Sequence, residues 1–323
     1  MKLPWRPIVI SLSLLAMAAA GARAQDYPSK PVRIITHSAP GGSPDALLRI
    51  FADNLSQLWG QQVVALNHPG AGGALAARIA AGSPPDGYTL YMPASSAFVT
   101  LPGLQANLPL DVPRDFVPIG FVGEQPFFIS VAPALGVATL PDLIALAKKR
   151  PGEISYAATG RGTLSHLSGE ALQEMAGIKL LMVPYVGGTA LALNDVIGGR
   201  VPMIIDAYSG LAGALQGGAI KPVAVGSTKR LPEFADLPTA AETLPGYSAR
   251  GWLALVAPLG TPDAIVRKVS EDLRKVASDP AVKAKLAATG NYTNPMSPAE
   301  LLSFIRSEQQ LWKPVLEQIA HTP

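Results

Sequence analysis

The sequence predicts an α/β protein of two domains, with mostly parallel sheets flanked by helices. Two patterns predict it. Short β-branched runs alternate with helical stretches, which argues βαβ units and parallel strands. The 323-residue length also exceeds one ordinary domain. In order, strands are expected at Val32–Thr36, Gln62–Leu66, Tyr88–Met92, Phe127–Val131, Ile154–Tyr156, Leu180–Val183, Val201–Ile205 and Val223–Val225. Helices are expected between them at Asp45–Trp59, Ala74–Ala81, Leu140–Lys149, Thr163–Met175, Ala190–Ile197 and Leu211–Gln216. Strand runs bounded by Gly and Pro fit burial on both faces.

The last third turns helical: Pro262–Ala277, Pro280–Thr289 and Pro298–Ala320. Thr261-Pro262 and Ser297-Pro298 place a hydroxyl at the cap and Pro in the first turn. Phe121–Pro126 and Tyr247–Trp252 join apolar strand-like runs where the pattern restarts. They predict two crossings, with residues 27–123 and 250–323 forming one discontinuous domain and 124–249 the other. Two crossing strands suit hinge closure around a ligand.

Before this body comes a secretory leader, residues 1–24. Lys2 and Arg6 precede a short apolar run from Ile8 to Ala20, and Ala22-Arg23-Ala24 offers a cleavage site. The run is shorter than the roughly 20 residues of a spanning helix. Sec export to a periplasm follows, with cleavage after Ala24 and no paired arginines for a twin-arginine route. The whole chain carries 26 Lys+Arg and 23 Asp+Glu, and the leader holds three of the bases and no acid. The mature chain is therefore neutral, which removes the electrostatic case for a nucleic-acid partner. With no Cys, disulfides, thiol catalysis, Cys-ligated metal and a lipobox anchor are excluded.

Two segments carry chemistry. Ile34–Asp45 runs from a strand through Gly41-Gly42 into a helix start, and Tyr156–His166 runs through Gly160-Arg161-Gly162 to Thr163. Each aims backbone N–H groups at the carboxyl end of a strand, where orphaned donors and the helix dipole favour an anion. Ser165 and Leu75 stand where a dinucleotide fingerprint needs its third Gly. Nucleotide binding is disfavoured, and no cofactor is expected. His37, His68, His166 and His321 show no metal-ligand spacing, and there is no Gly-x-Ser-x-Gly elbow. His166 reads first as a structural histidine. Asp206 reads either as a cleft carboxylate or as a cap for the Tyr208–Gln216 helix.

In combination, Ala39-Pro40-Gly41-Gly42-Ser43-Pro44-Asp45, Asn67-His68-Pro69-Gly70-Ala71-Gly72-Gly73, Pro85-Asp86-Gly87-Tyr88-Thr89-Leu90, Val183-Pro184-Tyr185-Val186-Gly187-Gly188 and Ala257-Pro258-Leu259-Gly260-Thr261-Pro262 resemble the tripartite tricarboxylate transporter receptors, or Bug proteins. The resemblance spans nearly the whole mature chain. It implies a two-domain periplasmic-binding-protein fold of type II, a Venus flytrap closing on a small carboxylate without an arginine clamp. It also implies a non-enzymatic, monomeric receptor working with a membrane permease or sensor. Carried over by motif, one loop supplies Ser38, Ala39, Gly41, Gly42 and Asp45, and the other Thr159, Gly160, Gly162, Thr163 and His166. Ser95 and Ser96 would add donors, while Tyr185, Gly187 and Asp206 would close the pocket. His37 and Ser38 replace a common Pro-aromatic pair, Arg161 a common Asn, and Val186 a common Lys. Asp206 beside a ligand would suit an amine or amide. An enzyme on the same scaffold is the rival reading, since fold alone does not fix function.

Overall fold

The computed structural model describes residues 27–320, apart from 39, 42, 71–72, 105–110, 113 and 186–187. The leader and the site candidates Ala39, Gly42 and Gly187 therefore lie outside the described residues.

The first half opens with β1 (Val32–Thr36), α1 (Ser43–Trp59), β2 (Val63–Asn67), α2 (Ala74–Ala81) and β3 (Thr89–Met92). Two short helices follow, α3 (Ser95–Val99) and α4 (Leu101–Leu104), which the sequence reading did not anticipate. β1 pairs in parallel with β2 on one side and β3 on the other. Helix α1 buries Leu47, Leu48, Phe51, Ala52 and Leu55, a single stripe at helical spacing. That stripe packs on Ile34 and Leu90, while Ile35 and Tyr91 face a separate cluster on the other side of the sheet. Strand alternation therefore buries both faces.

The second half holds α5 (Leu140–Lys149), β5 (Ser155–Ala158), α6 (Leu164–Ala176), β6 (Leu181–Pro184), α7 (Thr189–Ile197), β7 (Met203–Ala207), α8 (Tyr208–Gln216) and β8 (Lys221–Val225). β5 pairs in parallel with β6 and β7. Helix α5 starts with a reciprocal Thr139–Asp142 capping box.

A long strand joins the halves. β4 (Phe116–Val131) pairs antiparallel with β9 (Arg250–Pro258) from Phe116 to Pro126, then lies between β7 and β8 from Phe127 to Val131. β8 and β9 thus occupy the same edge of β4 end to end, with Gln125 facing Gly251 and Pro126 facing Arg250 at the junction. The sheet order is β2-β1-β3-β9-β4-β7-β5-β6. The parallel pairings sit toward the ends, and β4 and β9 make the centre antiparallel.

The chain closes with α9 (Asp263–Ser278), α10 (Pro280–Ala287) and α11 (Pro298–Ala320). The expected Ser297 cap is formed: Glu300 N donates to Ser297 Oγ and Ser297 N to Glu300 Oε2. The Thr261 cap is not. Helix α9 begins after Pro262 without a side-chain cap, and the Thr261 hydroxyl instead donates to Pro258 O at 2.8 Å. No described helix is long and apolar enough to cross a membrane.

Candidate functional site

A cavity of about 470 Å³ opens between the halves. From the first half it takes His37 beyond β1, Pro44 at the start of α1, and Ser95 and Ser96 at the start of α3. From the second come Thr159, Arg161, Gly162 and Thr163, with Leu164 and Ser165 in the first turn of α6. Gln125 and Phe127 on β4 and Gly251 and Trp252 on β9 form the wall where the halves meet. No carboxylate is among the described lining residues. The volume is that of a small-molecule site.

The second loop owes its shape to two glycines in left-handed backbone, Gly160 (φ 136) and Gly162 (φ 73), a region costly for residues with a Cβ. Thr163 then caps α6, its Oγ1 accepting from His166 N at 3.4 Å and donating to Gly160 O at 2.7 Å. The hydroxyl proton of Thr163 is thus spent within the loop. Donors toward the cavity come from the first-turn amides at Leu164 and Ser165, which have no partner one turn back along the helix, and from the exposed Arg161 side chain. Arg161, which stands where Asn is common in the resembling receptors, thus lines the cavity wall.

His166 stands behind this loop rather than in the cavity wall. Its Nδ1 accepts from Gly162 N at 3.1 Å, and its Nε2 lies 3.5 Å from Glu170 Oε1. The accepting Nδ1 places the neutral ring's proton on Nε2. Glu170 also accepts from Tyr156 Oη and Gln173. The His166 bond, outweighing burial, holds the Glu170 carboxyl below the usual range. His166 therefore braces the turn.

Asp45 has a similar task on the first side. Its carboxylate accepts from Gly41 N at 2.8 Å, Arg49 Nε at 2.9 Å and Asn67 Nδ2 at 2.8 Å. Asn67 also donates to Ser38 O. Ser38 and Gly41 belong to the loop that Asp45 ties down, and neither is among the described residues of the cavity wall. Burial alone would raise the Asp45 carboxyl, but these hydrogen bonds outweigh it and hold it low.

Of the candidates named from sequence, Ser95, Ser96, Thr159, Gly162 and Thr163 share the cavity wall. Gly160 shapes it from behind. Tyr185 points elsewhere, its hydroxyl donating to Asp195 Oδ2 at 2.7 Å. Asp206 fits neither of its two expected roles. It is buried with Oδ2 accepting from Thr189 Oγ1 at 2.6 Å and Oδ1 from Ala207 N at 2.7 Å, so it ties α7 to the end of β7. Helix α8 is capped at Ala207 with no side-chain bond. Burial, the dominant influence, pushes the Asp206 carboxyl up. Asp206 is not among the described lining residues of the cavity.

Sequence reasoning missed Gln125, Phe127 and Trp252. Gln125 Nε2 donates to Asn291 Oδ1 at 2.8 Å and also to Ser43 Oγ. A lone amide inside an apolar crossing segment was the available signal. Trp252 Nε1 donates to Glu308 Oε2 on α11 at 3.0 Å, and Arg250 bonds both Glu308 and Glu124. Burial pushes the Glu124 carboxyl up against the opposing pull of Arg250, with Glu308 adding to the rise.

With this geometry established, known proteins give it a context. The sequence matches the tripartite tricarboxylate transporter family receptor over residues 47–321. Rpa4515 of R. palustris, solved with adipate, is 32% identical and superposes with a TM-score of 0.83 over 91% of this chain and 98% of that one. The periplasmic binding protein BugD is 32% identical, with a TM-score of 0.77 over 91% of this chain and 99% of its own. MatC from Rhodopseudomonas palustris, with bound malate, is 26% identical, with a TM-score of 0.77 over 90% of this chain and 100% of its own. All three superpose on the α/β fold of this chain, and BugD is a periplasmic binding protein. The chain belongs to the tripartite tricarboxylate transporter receptor family.

Proposed function

We propose that this protein is a periplasmic receptor that captures a small carboxylate in the cavity between its halves and delivers it to a membrane permease. One observation carries the reading: the wall combines hydroxyls, helix-start amides and a guanidinium, with no carboxylate among its described residues. Such a wall favours an anion and gives it directional donors. The ligands of the related structures, adipate and malate, are small carboxylates.

The proposed cycle needs no reaction. Residues 27–123 with 250–323 would move against 124–249 by flexing β4 and β9 near Gln125 and Gly251. Closure would be driven by contacts that exist only when both halves grip the ligand. The leader, cleaved after Ala24 on Sec export, would leave an untethered monomer confined to the periplasm. Within the site residues, we assign ligand contact to Ser95, Ser96, Thr159, Arg161 and the start of α6. Asp45, Gly160 and His166 would hold the loops in shape.

A thermal-shift series over mono- and dicarboxylates, with the matching alcohols and amides as controls, tests the reading. At 100 times Kd a ligand stabilises by about 2.7 kcal/mol. At least one carboxylate is expected to raise Tm by several degrees while its alcohol does not. A folded protein indifferent to every anion would contradict the proposal.

A further inference from the structure

His37 is the polar residue of the cavity wall that the loop architecture does not explain. Gly73 lies beside it, where an added Cβ would stand 3.4 Å from His37 Cβ and 3.8 Å from Cδ2. The other flank, Nδ1, is buried and has no hydrogen-bond partner. Nε2 is not enclosed in this way, and His37 lines the cavity, so Nε2 is the nitrogen available to a ligand there. A buried N–H without a partner costs more than a buried lone pair. The neutral ring therefore keeps its lone pair on Nδ1 and its proton on Nε2. Burial pushes the imidazole below its usual value, which keeps it neutral.

We propose that His37 is a specificity determinant, its Nε2–H donating to a neutral oxygen on the ligand, so that the protein prefers hydroxy- or oxocarboxylates to the plain acid. This rests on the receptor reading above and names the ligand class for that site. A neutral donor suits a hydroxyl or ketone. A second carboxylate at the same place would be an additional buried charge, and Arg161 is the only lysine or arginine among the described lining residues. Loss of the oxygen leaves the donor unmet in a site from which bulk water has been displaced, which is how hydrogen-bonding pockets reject analogues.

Calorimetry on matched pairs tests it: malate against succinate, 3-hydroxybutyrate against butyrate, and 6-hydroxyhexanoate against hexanoate. In the chain length that binds best, the hydroxylated acid is expected to bind at least about fivefold more tightly. His37→Gln, which returns an N–H near the position of Nε2, keeps most of that preference. His37→Phe is expected to bind both members of each pair alike. Equal affinities within every pair for the wild type, or a preference that survives in His37→Phe, would overturn the assignment while leaving the receptor reading intact. Failure of all six acids to bind while another carboxylate stabilises the protein would overturn the assignment alone, and only indifference to every anion would remove both.

Discussion

Asp45 shows how a single residue can matter to a site it does not line. Three donors converge on its carboxylate and hold the first loop closed. Asp45→Asn keeps the shape but repels one amide donor and loses the Arg49 ion pair, so a loss of about 1–2 kcal/mol is expected in urea unfolding. The pH dependence has a defined sign. Because the folded carboxyl titrates below its unfolded value, its contribution is complete above the unfolded value, about pH 4. It is then lost as pH falls through the folded value. Asp45→Asn should flatten that part of the acid limb, and an unchanged limb would place the acid sensitivity elsewhere. Arg161 is exposed, so screening limits its worth. Arg161→Gln is expected to weaken carboxylate binding by about 3- to 10-fold at low salt and by less at high salt, read by calorimetry at two ionic strengths. Asp45 and Asp206 both stood among the residues that the sequence marked as site candidates. Their roles were not legible, because Asp45 takes a partner on the next strand at Asn67 and Asp206 takes Thr189, pairings that only the fold creates.

At the scale of elements, β1, β5, α2 and α5 were readable because local propensity, period and punctuation agree there. Strand β4 was readable only in its second part. Pro118, Gly120 and Gly123 signal a break, yet the strand continues, its register against β9 shifting between Pro118 and Gly120 and between Phe121 and Gly123. Bulges of this kind absorb residues that would otherwise end a ladder. Gly120 is needed for a further reason: a Cβ there would lie 2.9 Å from Leu273 Cδ2 and 3.3 Å from Met296 O. Gly120→Ala is expected to cost about 1–3 kcal/mol through overpacking of α9 on β4, measured by chemical denaturation. Helix α11 binds both halves. Gln309 donates to Phe98 O in the first half, while Trp312 and Val315 share a buried cluster with Leu167 and Leu172 of α6. Its Glu308 accepts from Arg250 and Trp252 where the halves meet. Glu308→Leu strips both donors of their acceptor and should cost about 2–4 kcal/mol, whereas Glu308→Gln retains an acceptor for Trp252 and should cost less. Equal losses in the two variants would mean that packing, rather than the hydrogen bonds, carries the contribution of Glu308.

For the whole molecule, the alternation of strands and helices was enough to predict an α/β protein, and the turn motifs pointed to its family. What the sequence did not contain was the cavity as a shape. Its wall draws on segments from His37 to Leu253, and the residues between halves, Gln125 and Trp252, lie in segments that read as crossings between domains and not as part of a ligand site. A receptor of the proposed kind would couple capture to a change in overall form, since each half would supply donors that only a closed molecule brings to the same ligand. Saturating ligand is therefore expected to reduce the radius of gyration in solution scattering, and an unchanged profile would count against closure. The most direct measurement is the crystal structure of the complex with the carboxylate that gives the largest thermal shift. The account predicts a carboxylate oxygen within hydrogen-bond distance of Arg161 or the first-turn amides of α6, and a ligand oxygen within reach of Ser95 or Ser96. A ligand seated outside this cavity, or one that touches a single half of the molecule, would contradict it.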